Sequence, residues 1–178
     1  MENFKLTITH DEYPENPRVE FCNLSNLILF HKRYRLGDKH NINSSDYNSF
    51  EEVKKAIKKK YNVYVMFPVY MYEHGNIALS LDEFSCPFDS GQIGFAIVTK
   101  EDFKKNYNLK IAYRSEKYLD SIISNIKAEL ADYQAYLNGE VYRFVIEDEN
   151  GDLVESCSGF YNYSECEKTG NDILKNLS

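Results

Sequence analysis

Two stretches of this 178-residue chain hold side chains of types that could do chemistry. The first is Phe30-His31-Lys32-Arg33-Tyr34-Arg35-Leu36-Gly37-Asp38-Lys39-His40, with two imidazoles and a carboxylate inside residues 30–40. A metal centre needs three or four converging ligands at fixed spacing. His31 and His40 stand nine apart, and the four cations between them, Lys32, Arg33, Arg35 and Lys39, repel a divalent ion. The stretch therefore reads as a basic, aromatic-interleaved connection, and no metal is expected. The second is Cys86-Pro87-Phe88-Asp89-Ser90-Gly91-Gln92-Ile93-Gly94-Phe95. Cys86 or Ser90 would become a nucleophile if His31 or His74 folded beside it to take the proton. Ser90 lacks the Gly-x-Ser-x-Gly elbow, however, and Cys86 sits in no catalytic cysteine signature. Asp89-Ser90-Gly91 reads more economically as a turn into a strand, with the carboxylate accepting local backbone hydrogen bonds. Gly94, inside that strand, signals the close approach of another backbone or ring. Gly91 and Gly94 match neither a P-loop nor a Gly-x-Gly-x-x-Gly turn, and no cofactor is expected.

Charge is the stronger signal. The chain has 21 Lys and Arg against 28 Asp and Glu, a net charge of −7 with a pI near 5.2. Residues 1–127 carry 18 basic and 17 acidic side chains, whereas residues 128–178 carry 3 and 11. The whole imbalance falls in the last third. There Glu140, Glu147, Asp148, Glu149, Asp152, Glu155, Glu165 and Glu167 surround Tyr142, Phe160, Tyr161 and Tyr163. Such a face attracts cationic surfaces, and tyrosine supplies contact area with a polar handle. The bland alternative is ordinary solubilising surface. Lys54, Lys55, Lys58, Lys59 and Lys60 form an opposite run, which at a helix C-terminus complements the dipole. A solvated face is its default reading and a nucleic-acid contact the alternative.

The elements that must position these groups are legible from caps and periodicity. Residues 4–9, 61–72, 77–81 and 92–98 read as strands, the second with a bend at Pro68, and residues 24–30 are compatible with a buried strand that periodicity does not separate from a helix. Ser49-Phe50-Glu51-Glu52 has capping-box form and opens a helix to about Lys60, while Thr99 caps a short helix over residues 100–106. The clearest element is a helix over residues 115–137, with Ser115 as its N-cap and Asn138-Gly139 as its stop. Its apolar stripe is Leu119, Ile122, Ile123, Ile126, Leu130, Tyr133 and Leu137. Residues 141–147 and 153–157 flank Asn150-Gly151, a hairpin signal in which both turn positions take positive φ. Ser164-Glu165-Cys166-Glu167 is a second capping box opening a final helix. The order predicts one α+β domain over residues 1–178, with a largely antiparallel sheet, the long helix, a C-terminal hairpin and the final helix.

A hydrophobic fraction of 43% with 15% aromatics excludes a disordered chain. No segment approaches the roughly 18 consecutive apolar residues of a membrane helix. The N-terminus lacks the features of a secretory signal, and Cys22, Cys86, Cys157 and Cys166 form no CxxC pair. Reduced thiols and a cytoplasmic location are expected.

Residues 30–40, the segment Asp89-Ser90-Gly91-Gln92-Ile93-Gly94-Phe95 and the tail Ser158-Gly159-Phe160-Tyr161 resemble a family of small acidic proteins. These are carried by phages, plasmids and integrative elements of Firmicutes. The resemblance spans residues 20–163, and within that group the chain is similar to anti-CRISPR inhibitors of type II-A Cas9. It implies a non-enzymatic, stoichiometric inhibitor of a nucleic-acid defence nuclease, above all Cas9 or its guide-RNA complex, in the host bacterial cytoplasm. It transfers no functional residues. The expected partner surface, Glu140, Tyr142, Glu147, Asp148, Glu149, Asp152, Glu155, Phe160, Tyr161 and Tyr163, comes from charge and ring content. Lys32, Arg33, Arg35 and Lys39 would make a secondary contact with nucleic acid or an acidic patch. Rival readings are an anti-restriction or other anti-defence inhibitor, a phage regulatory adaptor, and a small hydrolase or transferase using Cys86.

Overall fold

The computed structural model describes residues 3–109 and 116–177. In chain order these form β1 (Lys5–His10), α1 (Pro17–Glu20), β2 (Asn26–Leu29), α2 (Phe50–Lys60), β3 (Val63–His74) and β4 (Asn76–Ser80). There follow β5 (Ser90–Thr99), α3 (Lys100–Asn106), α4 (Leu119–Asn138), β6 (Tyr142–Glu147), β7 (Leu153–Phe160) and α5 (Tyr163–Leu177). The fold is α+β and every strand pairing is antiparallel. The strands make two sheets rather than the one expected, ordered β1-β6-β7 and β2-β5-β3-β4. Two compact units result: Met1–Glu20 with Ala131–Ser178, and Phe21–Leu130. The boundary falls inside α4.

In the Phe21–Leu130 unit, β5 is a central strand buried from Ile93 to Val98. Gly94 pairs with Leu29 of β2 on one side and Val69 of β3 on the other. A Cβ there would lie 2.1 Å from the Ile28 carbonyl oxygen, so only glycine lets β2 approach. Helix α2 places Val53 and Ile57 on a core of Ile28, Ile42, Phe95 and Ile97. Its start follows the capping signal: Ser49 Oγ accepts from the Glu52 amide at 3.3 Å, and the Glu52 carboxylate accepts from the Asn48 amide at 2.9 Å. Thr99 caps α3 through the Asp102 amide at 3.1 Å. Phe103 of α3 is fully buried, with Tyr64 stacked on it at 4.0 Å. Pro68 keeps its register opposite Phe95, and the irregularities of β3 lie instead at Val63/Val65 and Val69/Tyr70.

The Ser115 cap lies outside the described residues. The long helix is regular from Leu119, after a 3-10 turn at Glu116–Tyr118. Ile122, Ile126, Leu130 and Tyr133 of the expected stripe are buried, whereas Leu119 is 37% exposed. Its C-terminal stop is as read: Gly139 has φ +70°, its amide donates to the Tyr136 carbonyl, and the Glu140 amide donates to that of Ala135.

In the other unit, β6 is the central strand, with Leu6, Ile8, Phe144 and Ile146 facing Cys166, Ile173 and Leu174 of α5. Full burial of Phe144 and Ile146 stabilises this unit by about 1.5–3 kcal/mol each. The cap of α5 differs from the expected Ser164 box. Asn162 Oδ1 accepts from the amides of Ser164 (2.9 Å) and Glu165 (3.3 Å), because the helix starts at Tyr163 and leaves those donors unpaired. The β6–β7 turn also departs from the two-residue form. Only Gly151 takes positive φ (+84°), and Asp148 organises a five-residue loop by accepting from the amides of Asn150 and Asp152, both at 2.9 Å.

Candidate functional site

The acidic hairpin is built by β6, the loop of residues 148–152 and β7. Glu147, Asp148, Glu149 and Asp152 gather at its tip. Hydrogen bonds from the loop backbone, first of all from the Asp152 amide, hold the Asp148 carboxyl below its ordinary range and so favour its charge. Lys5 of β1 stands opposite Glu147 in register. Glu155 sits beside the tip, opposite Ile146, and the other expected interface residues, Glu140, Tyr142, Phe160, Tyr161 and Tyr163, lie at the other end. Tyr142 pairs with Phe160 and Glu147 with Leu153, so the two ends are separated by five residues, about 17 Å along the strand. The tip therefore carries charge and the base carries rings.

Most of those rings serve the unit itself. Tyr142 and Phe160 lean on the Phe144–Ile146–Cys166 core, and Phe160 lies 5.8 Å from Phe144. Tyr142 also meets His10 at 4.9 Å and Tyr163 edge-on at 5.3 Å. The Tyr161 hydroxyl donates to the Glu15 carbonyl at 2.6 Å. Burial, with Glu15, Asp132 and Asp11 nearby, pushes its pKa up to about 12. Tyr163 is the ring that remains largely outside, at 47% exposure. Glu140 is half-buried at the base, and Glu155 is exposed on β7 opposite Ile146.

Two exposed apolar residues escape a sequence reading. Leu153 (66% exposed) and Val154 (38%) stand on β7, the outer strand of its sheet, between Asp152 and Glu155. Their strand, Leu-Val-Glu-Ser-Cys-Ser-Gly-Phe, lacks the alternation that separates a buried from an open face, so nothing local marks them as exposed. They add apolar contact area beside the carboxylates.

Charge divides along the same line as the fold. The unit that holds the hairpin has 15 acidic and 5 basic side chains, a net −10, and the other has 13 and 16, a net +3. No known protein family, curated protein or solved structure matches this chain.

The remaining candidates have structural partners. Asp38 accepts from the Leu27 amide at 2.7 Å, and a ring nitrogen of His40 lies 3.2 Å from the Leu29 carbonyl. Both residues dock the 30–40 connection onto β2. His31 stacks on Tyr34 at 4.9 Å and lies 3.9 Å from Glu73. Arg33 donates to Glu73 at 2.6 Å, so it is tied down, while Lys32, Arg35 and Lys39 are exposed. No group of three metal-ligating side chains occurs among the described residues. Cys86 does come near an imidazole, in an unhelpful order. Its thiol lies 3.7 Å from Asp89 Oδ2, and the same oxygen lies 3.4 Å from Nδ1 of His74, whose side chain is 73% exposed. The carboxylate stands between thiol and imidazole, where a proton-accepting base would have to be. Ser90 Oγ donates to the Cys86 carbonyl at 2.5 Å and closes the turn.

No helix among the described residues is long and apolar enough to cross a membrane.

Proposed function

We propose that this protein is a non-catalytic inhibitor that docks its acidic hairpin on a cationic surface of a nucleic-acid defence nuclease of the Cas9 kind, in the bacterial cytoplasm. Such enzymes hold RNA and DNA in positively charged channels and read a short duplex motif through arginines. A carboxylate cluster occupying that surface competes with phosphates, and inhibition by occupancy needs no bond made or broken. The observation that carries this reading is the hairpin tip. Four carboxylates sit within six residues, one of them held ionised by the loop backbone, beside Leu153 and Val154 on an outer strand. The choice of target follows from the resemblance read in residues 30–40, 89–95 and 158–161 and is itself part of the proposal. Lys32, Arg35 and Lys39 are the secondary contact in this scheme. The Cys86 hydrolase or transferase reading is less well supported, because Asp89 separates the thiol from His74.

The test is a Cas9 DNA-cleavage assay titrated with the protein. Glu149→Lys/Asp152→Lys/Glu155→Lys spares Asp148, whose carboxylate holds the loop, and should weaken inhibition at least about tenfold, the scale of losing contacts between close charge pairs. Cys86→Ala should inhibit like the parent. Cleavage unaffected by excess parent protein refutes the target, and full potency in the folded triple variant refutes the hairpin.

A further inference from the structure

Helix α2 buries Val53 and Ile57, and this turns its lysines outward. The Tyr61 amide closes on the Ile57 carbonyl at 2.8 Å, and the chain reverses at once into β3, laying that strand beside the helix end. Between them lies a groove of about 880 Å³. Lys54, Lys58, Lys59 and Lys60 form one wall, Tyr61 to Phe67 together with Leu119 line the rest, and no carboxylate lines it among the described residues. Two of the four lysines are engaged. Lys54 pairs with Glu51 at 3.3 Å, and Lys60 donates to the Asn41 carbonyl at 3.0 Å while its ammonium lies 6.0 Å from the centre of the Tyr61 ring. Lys58 and Lys59 are exposed and have no hydrogen bond or ion pair within the described residues. This wall belongs to the unit with net charge +3, despite the acidic whole.

We propose that this groove binds single-stranded nucleic acid, with Lys58, Lys59 and Lys60 along the phosphates and Tyr61 and Tyr64 against bases. A lysine-lined channel floored by aromatic rings is the arrangement that grips a single strand without reading its sequence. Stacking on Phe103 at 4.0 Å and 13° fixes the plane of Tyr64, so its ring is already ordered before a base arrives. The competing anionic occupant, an acidic peptide added as a strand along β3, meets two obstacles. The register shift between Val63 and Val65 distorts the ladder, and Pro68 has no N–H to give. Only Val65 to Phe67 remain as regular edge, too short for a stable added strand. The site belongs to the unit without the hairpin and does not depend on the reading given above for the hairpin.

The probe is a fluorescein-labelled twelve-nucleotide oligo-dT, followed by anisotropy with the full chain between about 50 and 200 mM KCl. Three phosphate contacts predict a slope of log K against log salt near −2, hence about a twentyfold loss over that range. Lys58→Ala/Lys59→Ala should flatten the slope to about −0.7 and weaken binding at low salt at least about tenfold. Tyr61→Ala should weaken it about fivefold or more with the slope unchanged. Lys58→Gln/Lys59→Gln should behave like the alanine pair, and matching circular dichroism melts establish that the variants are folded. The hairpin variant Glu149→Lys/Asp152→Lys/Glu155→Lys should keep its dependence on Lys58 and Lys59, which separates failure of this site from failure of the inhibitor reading. Absence of binding at 50 mM KCl, equal binding by the alanine pair, or tighter binding of a labelled twelve-residue oligo-glutamate overturns the proposal. Equal affinity for a duplex of the same sequence overturns the single-strand assignment.

Discussion

Gly94→Ala is the sharpest test of how the β2-β5-β3-β4 sheet is held together. The added methyl would lie 2.1 Å from the Ile28 carbonyl oxygen, 2.9 Å from Leu29 Cα and 3.0 Å from the Ile28 carbonyl carbon. A tolerable carbon–oxygen contact is about 3.3–3.6 Å, so β2 must retreat by more than about 1 Å. Such a shift pulls the β2–β5 hydrogen bonds out of range, since they tolerate only a few tenths of an ångström. The neighbour is main chain rather than the end of a side chain, and Leu27, Ile28 and Leu29 are all almost fully buried, so nothing cheap can move. Overpacking of this kind costs about 1–3 kcal/mol, and holding alanine at φ +157° adds about 1–3 kcal/mol. A loss of about 3–5 kcal/mol is expected, which shifts a urea midpoint by about 2 M at an ordinary m-value. The assay is urea unfolding followed by far-ultraviolet circular dichroism, with Gly91→Ala as control. Gly91 lies on the same strand, but a Cβ there meets nothing within 4 Å, so its change should stay within about 0.5 kcal/mol. Equal midpoints for the two variants would refute the close-approach reasoning.

Three further outcomes follow from the hairpin unit. Asn162→Ala should destabilise by about 1 kcal/mol and Ser164→Ala by much less in thermal melts, because Asn162 caps α5; the reverse order would restore the Ser164 box. Asp148 has a folded pKa below its unfolded 3.8, so its contribution is present above that value and is lost as pH falls through the folded one. Melts from about pH 6 downward should show the gap between the parent and Asp148→Ala constant at first and closing under strong acid, and a pH-independent gap would contradict this. Tyr161, at about 12 folded against 10.0 unfolded, contributes stability below pH 10 that is lost as pH rises towards 12. Tyr161→Phe should remove one phenol that titrates near pH 12 from the alkaline absorbance curve, and an unchanged high-pH limb would refute that assignment.

Local chemistry made much of this molecule readable in one dimension. The Ser49 and Thr99 caps, the Gly139 stop, the Ile122–Tyr133 stripe of α4 and the close approach at Gly94 each depend on a few neighbouring residues. Each was therefore legible from spacing alone. So was the crowding of carboxylates into the last third, since charge is a property of composition. What spacing could not supply is which strands share a sheet. β1 joins β6 across more than a hundred residues, which assigns the N-terminal strand to the acidic unit and leaves β7 on the outside with Leu153 and Val154 exposed. Tyr142, Phe160 and Tyr161 look like surface handles among carboxylates, yet packing on Phe144 and the distant Glu15 carbonyl turn them inward. Lysines 58 to 60 read as a solvated helix end until the reversal at Tyr61 lays β3 beside them and makes a groove. Caps and stripes are short-range, decided by hydrogen bonds within a turn or two. Burial and the joining of side chains into sites are long-range, decided by pairings whose partners lie far apart along the chain.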